Sequence, residues 1–254
     1  MNMSNINYDR FTYLLSCEYG CRQEDFSNEK NILTKARISD YRRHYSDEKP
    51  FFQMVTGGLN AVITADECLY PFLTDFIAEK QGHTLFEQPE LFKLEKELNR
   101  FGQTLTSSRH MFLSSQVIMP KDKLDVKWFF GNDIHQFYDG RFPNALCSRF
   151  HEERPDTIAV CAYDGDKIMG MSGCSDDAHG VRQIGIDVFP EYRSKGVGTH
   201  LVTLLKNRIA RDGDVAFYTT TLSNYHSWNI ALNSGFRPAF VEINSVPIKE
   251  RTVL

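Results

Sequence analysis

The residues best suited to chemistry lie in one run, Arg193-Ser194-Lys195-Gly196-Val197-Gly198, set between an apolar segment at 184–189 and an amphipathic one at 199–211. Gly196 and Gly198 lack a Cβ, so the backbone there can approach a ligand closely and adopt turn geometries that other residues resist. If a helix starts at this point, the N–H groups of its first turn, those of Val197, Gly198 and Thr199 among them, have no partner inside the helix and converge on one place. Arg193 and Lys195 add positive charge beside them. Such a cradle holds phosphate, and a diphosphate is its natural guest.

The neighbouring segments have the patterns needed to position that run. Residues 157–163 and 167–174 flank the turn Asp164-Gly165-Asp166 and predict a β-hairpin. A polar loop at 175–180, carrying Asp176, Asp177 and His179, leads to a third strand at 181–189, which Pro190 ends because it cannot donate to a ladder. After the glycines, Val197, Leu201, Leu204, Leu205 and Ile209 fall on one helical face, and Asp212-Gly213 closes the helix. The β-branched segment 215–222 predicts a strand parallel to the previous one, since a helix joins them. Asn224 then caps a helix at 225–233, which stops at Ser234-Gly235-Phe236, and 237–247 returns as one or two strands.

The first half offers structure without chemistry. It predicts helices at 8–15 and 28–45, a hairpin at 51–64 turning at Gly57-Gly58, a helix at 68–80 capped by Asp66, and another at 89–101 with Leu91, Leu94 and Leu98 in a stripe. A linking stretch at 104–115 and a short strand at 116–119 follow. Residues 123–149 read as two helical pieces broken at Gly131 and at Gly140-Arg141-Phe142-Pro143, with Trp128, Phe129, Phe130, Phe137, Tyr138 and Phe142 supplying a core or a pocket wall.

Composition bounds the function. With 254 residues, 41% hydrophobic and 24% charged, the chain reads as an ordinary globular protein of two lobes. A formal charge of −4, from 29 basic and 33 acidic residues, gives no global field for nucleic acid or an anionic membrane. The six scattered cysteines contain no C-x-x-C, and free thiols in a cytoplasmic protein are expected in preference to a metal site. No leader is visible, and no apolar run approaches the ~18 residues that span a bilayer.

Taken together, these residues resemble a known family. Arg193-x-x-Gly196-x-Gly198, after a strand ending Asp187-Val188-Phe189-Pro190-Glu191-Tyr192, resembles the Q/R-x-x-G-x-G/A motif of the GCN5-related N-acetyltransferase (GNAT) superfamily. Asn224-x-x-Ser227 and Gly235-Phe236 follow in the family's order. The competing reading, a dinucleotide-binding G-x-G-x-x-G, would need glycine at 201, where the chain has Leu201. The resemblance implies an α/β fold with a mixed, largely antiparallel central sheet flanked by helices, in residues 116–254, preceded by a helical and mixed N-terminal lobe at 1–115. That lobe is expected to be a cap or substrate lobe; a degenerate repeat of the same fold and a homodimer surface are the alternatives.

The resemblance also implies a reaction: transfer of an acetyl group from acetyl-CoA to a primary amine of a small molecule, with no metal. By position, Val188 would present backbone groups to the pantetheine arm, Ile186 or Asp187 would lie near the thioester, and Arg193, Ser194, Lys195, Gly196, Val197, Gly198 and Thr199 would hold the diphosphate. Asn224 and Ser227 match positions that contact the arm or the phosphate end, although an asparagine there also caps its own helix. The family's usual tyrosine position holds Ala231, and its usual acidic position holds Arg182. The acid candidate is therefore Tyr225, which shares a face with Trp228 and Leu232, and Asp176 is the candidate to receive the amine proton. A non-catalytic acyl-CoA sensor is the alternative that these replacements favour.

Overall fold

The computed structural model describes residues 3–121 and 123–249. The sequence-derived lobes 1–115 and 116–254 include residues 1, 2, 122 and 250–254, which lie outside the described residues. Chain contacts divide the protein into two compact units. One comprises Met1–Arg10, Arg43–Tyr45 and Phe112–Pro238; the other comprises Phe11–Arg42, Ser46–Met111 and Ala239–Leu254.

In chain order the elements begin with helix α1 (Met3–Tyr19) and strands β1 (Ile32–Lys35), β2 (Phe52–Thr56) and β3 (Ala61–Ala65). Helices α2 (Tyr70–Ile77) and α3 (Gln88–Asn99) and strands β4 (Gln103–Leu105) and β5 (Arg109–Ser114) follow. Then come β6 (Asp125–Phe130), β7 (Asp156–Asp164), β8 (Lys167–Ala178) and β9 (Val181–Val188), helix α4 (Val197–Arg211), β10 (Val215–Thr221), α5 (Tyr225–Asn233) and β11 (Phe236–Pro247). The expected α/β class with largely antiparallel strands is what the chain forms.

In the second unit, β2 pairs antiparallel with β3 and with β11, β4 pairs antiparallel with β11, and β1 lies parallel to β3. The Gly57-Gly58 turn forms where expected, and Asp66 accepts from Cys68 N at 3.2 Å to start the helical segment after β3. Phe52, Met54, Ile63, Leu69, Leu73, Leu94 and Leu98 make its core. The helix predicted at 28–45 is absent; β1 and a loop replace it, because Ile32, Leu33 and Thr34 pair with β3 rather than forming a helical face.

In the first unit the strand order is β10-β9-β8-β7-β6. β6 to β9 form an antiparallel meander, and β10 lies parallel to β9 as its helical crossover requires. On one face, Val197, Leu201, Val202, Leu205 and Ile209 of α4 pack on Ile158, Val160 and Ile184. Each such buried side chain contributes about 1.5–3 kcal/mol of apolar burial. On the other face, Ile134, Phe137, Phe142, Ala145 and Leu146 cover Ala159, Cys161 and Met171.

Three expectations in this unit are corrected. The piece after Lys123 is the strand β6, whose Val126, Trp128 and Phe129 suit a pleated surface better than a helix, and Gly131–Phe137 is a 3-10 segment. Residues 116–119 form no strand; the strand precedes them as β5. β8 runs to Ala178, so Asp176 and Asp177 belong to a strand and not to a loop. Among the described residues, no helix is long and apolar enough to cross a membrane.

Candidate functional site

The site is a slot where two parallel strands separate. β9 and β10 are in register from Val181 opposite Val215 to Ile184 opposite Tyr218. Beyond that point β10 leads away to α5, while β9 continues to Val188 with, among the described residues, β8 on one side only. The direction of its backbone groups follows from one bond: Phe189 N donates to Met169 O at 3.0 Å, so odd-numbered residues at this end of the strand face β8. The backbone groups of Ile186 and Val188 therefore face the open edge. Arg193 fills part of it, its Nε donating to Val188 O at 3.0 Å.

At the end of that edge lies the loop singled out from sequence. Pro190–Tyr192 makes one 3-10 turn, then Ser194 and Gly196 take left-handed φ values of 60° and 79° before α4 begins. A left-handed glycine is free of the Cβ penalty; a left-handed serine is strained, a state found where a loop shape is imposed by its surroundings. Among the described residues, none of the amides of 194–199 donates to another backbone group. Residues 193–196 are exposed, Lys195 Nζ sits 5.4 Å from the Tyr192 ring centre, and the Tyr192 hydroxyl donates to Asp164 Oδ2 at 3.2 Å. The loop is thus latched to the β7–β8 turn, with residues 193–196 exposed and Val197 and Gly198 buried behind them.

Gly198 has a second reason to be glycine. A Cβ there would lie 3.0 Å from Ile230 Cδ1 and 3.5 Å from Val188 Cγ2, so its absence lets α4, α5 and β9 close together. Asp187 is likewise occupied: its carboxylate accepts from Asn144 N at 2.8 Å, Asn144 Nδ2 at 2.6 Å and Ala145 N at 2.8 Å. Gly173 and Gly185 admit this segment, since a Cβ on Gly185 would lie 1.8 Å from Asn144 O and one on Gly173 2.3 Å from Ala145 O. Only glycine allows one backbone to lie so close on another.

Asn224 caps α5, its Oδ1 accepting from Ser227 N at 3.1 Å. The Ser227 hydroxyl is 2.7 Å from that of Tyr218. Tyr218 escaped the sequence reading, although the strand alternation of 215–222 could have placed it on the α4 face with Ala216; both are buried there. Burial, and then the nearby Asp187 charge, raise the Tyr218 phenol above its ordinary value, while the Ser227 bond acts against them. Tyr225 is 72% exposed in the first turn of α5 and Leu232 is 45% exposed, while Trp228 between them packs against the core, its ring 4.8 Å edge-on from that of buried Phe112.

Asp176 is not brought to the slot. It lies opposite Arg182 on β9, four residues before Ile186, or ~13 Å along a strand. Burial raises its carboxyl above the usual carboxylate range, with Arg182 acting against the rise. Asp177 is fully buried, held by the Ser175 hydroxyl, with Arg154 at 3.8 Å.

The arrangement can take up an extended, amide-bearing ligand as an added strand at Ile186 and Val188, with a phosphorylated end at 194–199. Residues 125–236 match the family model described as the acetyltransferase (GNAT) family. A GCN5-related N-acetyltransferase from Kribbella flavida aligns over 60% of this chain and 62% of its own at 15% identity and a TM-score of 0.46. An acetyltransferase of the GNAT family from Colwellia psychrerythraea aligns over 56% of each chain at 14% identity and a TM-score of 0.43. The alignment spans less than two thirds of the length of either of these structures. A Salmonella typhimurium structure with its cofactor acetyl-CoA aligns over 48% of this chain and 94% of its own, at 13% identity and a TM-score of 0.33. No curated protein matches the chain.

Proposed function

We propose that the protein transfers an acetyl group from acetyl-CoA to a primary amine of a small molecule. The observation that carries this reading is the open edge of β9 at Ile186 and Val188, ending in the unpaired amides of 194–199. A pantetheine arm carries amides that can bond such an edge as a strand would, and the diphosphate meets the amides and Lys195. Bound acetyl-CoA supplies an activated acyl group as its thioester. The chain's part is to fix that thioester, to exclude water, and to offer the Ile186 N–H to the carbonyl oxygen as charge develops there.

The attacking amine must lose a proton and the departing thiolate must gain one. Tyr225, exposed beside Ser227 in the first turn of α5, is the acid within this element; the amine's proton leaves to solvent, because Asp176 lies well down the strand. The small-molecule acceptor accords with a formal charge of −4, and the free cysteines fit a reducing, cytoplasmic setting. One observation favours a second reading: Ala231 and the distant Asp176 leave the slot without a converged acid and base, as in a non-catalytic acyl-CoA sensor. Thiol release from acetyl-CoA over a panel of amines, together with calorimetric binding, separates the two. Acceptor-dependent release supports the enzyme; tight binding with no release from any amine supports the sensor.

A further inference from the structure

β6 is the last strand at one end of the first unit's sheet. Among the described residues it pairs with β7 alone, antiparallel from Asp125 opposite Tyr163 to Phe130 opposite Ile158. The alternation of backbone groups across the meander fixes which residues face outward. The Phe189 N to Met169 O bond turns odd-numbered residues of β8 toward β9, so Ser172 and Cys174 face β7, where Val160 and Ile158 lie opposite. Odd-numbered residues of β7 then face β6, where Ala159 and Cys161 meet Phe129 and Lys127. The N–H and C=O groups of Val126, Trp128 and Phe130 are left at the free edge.

The side chains alternate too. Val126 and Trp128 pack against the α4 core, while Asp125 and Lys127 are exposed on the opposite face, the Lys127 ammonium 4.5 Å from the Tyr163 ring centre. Phe130 is 41% exposed, its ring stacked 6.3 Å from that of Trp128 with the Arg208 guanidinium 5.1 Å away. Such an edge can accept a further strand, and the order of its two charges selects which. A two-fold axis through Lys127 would oppose two ammonium groups, and one through Trp128 would set Lys127 against Phe129. Only an axis through Val126 sets each Asp125 opposite a lysine, the partner's Lys127.

We propose that a second copy of this chain pairs antiparallel on β6 about a two-fold axis through Val126, joining the two sheets into one. The Val126 N–H of each copy donates to the carbonyl of the partner's Val126. Asp125 and the partner's Lys127 then meet at a position without ladder hydrogen bonds, where side chains lie closest, and the symmetry makes that pair twice. This surface is independent of the coenzyme reading.

The test is sedimentation equilibrium of the full-length protein. A two-strand contact is small, so a dimer with a micromolar dissociation constant is expected. Lys127→Glu opposes two carboxylates on each side of the axis and is expected to weaken the dimer at least ~10-fold. The swap Asp125→Lys/Lys127→Glu is expected to return it to within ~3-fold of the wild type, both positions being exposed. Val126→Pro removes the N–H at the axis, which faces away from β7, and is expected to give a folded monomer. Should that variant fail to fold, the charge variants still decide. A wild type that stays monomeric, whatever other chain it binds, overturns the proposal. So does a dimer that survives Lys127→Glu or Val126→Pro undiminished, or one that the swap does not restore.

Discussion

Asn144 donates twice to the carboxylate of Asp187, from its backbone nitrogen at 2.8 Å and its side-chain amide at 2.6 Å, and so ties the segment covering the sheet to the strand that edges the slot. Asp187 is thereby a strut for the slot rather than a reacting group. Asp187→Asn replaces one acceptor oxygen by a donor facing donors. It should cost about 1–3 kcal/mol, read as a lower urea midpoint with an unchanged slope, and should raise proteolysis at 142–147. Unchanged stability would show that the three bonds are dispensable.

Gly185→Ala tests the same contact from below. Its Cβ would fall 1.8 Å from Asn144 O, which is backbone and cannot rotate aside. The expected loss is about 3 kcal/mol or more, at or beyond the usual range for overpacking, by chemical denaturation. An exposed substitution such as Lys195→Ala should stay within about 0.5 kcal/mol.

A pH dependence follows from Lys206. Its ammonium is buried, donates to Gln116 O and lies 5.9 Å from the Phe236 ring centre; burial lowers its pKa to about 8. Between about 8 and the ordinary lysine value the unfolded chain holds the extra proton, so stability rises with pH in that window and is flat in this group below it. Lys206→Met should abolish that rise in a series of urea melts from pH 7 to 10. A parallel rise in the variant would assign it to other groups.

Much of this was legible in the sequence where local rules and tertiary packing agree. The glycines before α4, the Asn224 cap, the crossover to β10 and the meander all formed as their patterns required. The strand β6 was misread because its aromatic run has neither clean period, and pairing with β7 decided it. What the sequence could not show is which face a side chain takes. Asp187 and Gly198, expected by position to lie at the ligand, also carry structural duties that position alone does not show: one holds Asn144 and the other makes room for Ile230. Tyr218 looked like one strand residue among several, and only the separation of β9 and β10 makes it the end of a slot.

Tyr225→Phe tests the acid assignment. General acid catalysis contributes typically 10²–10⁴-fold, so kcat with a responsive amine should fall by at least ~10-fold while the Kd for acetyl-CoA is retained. Equal turnover would remove Tyr225 from the mechanism.

The central claim is that residues 193–199 and the β9 edge hold coenzyme A, and calorimetric titration of acetyl-CoA into the wild type and Lys195→Glu tests it most directly. Lys195 is exposed, so its reversal should leave the melting temperature within about 2 °C. The account predicts micromolar or tighter binding by the wild type, weakened at least ~10-fold in the variant as a negative charge enters the diphosphate cradle. Wild-type protein that binds no acetyl-CoA, or a variant that binds it equally well, would contradict the account.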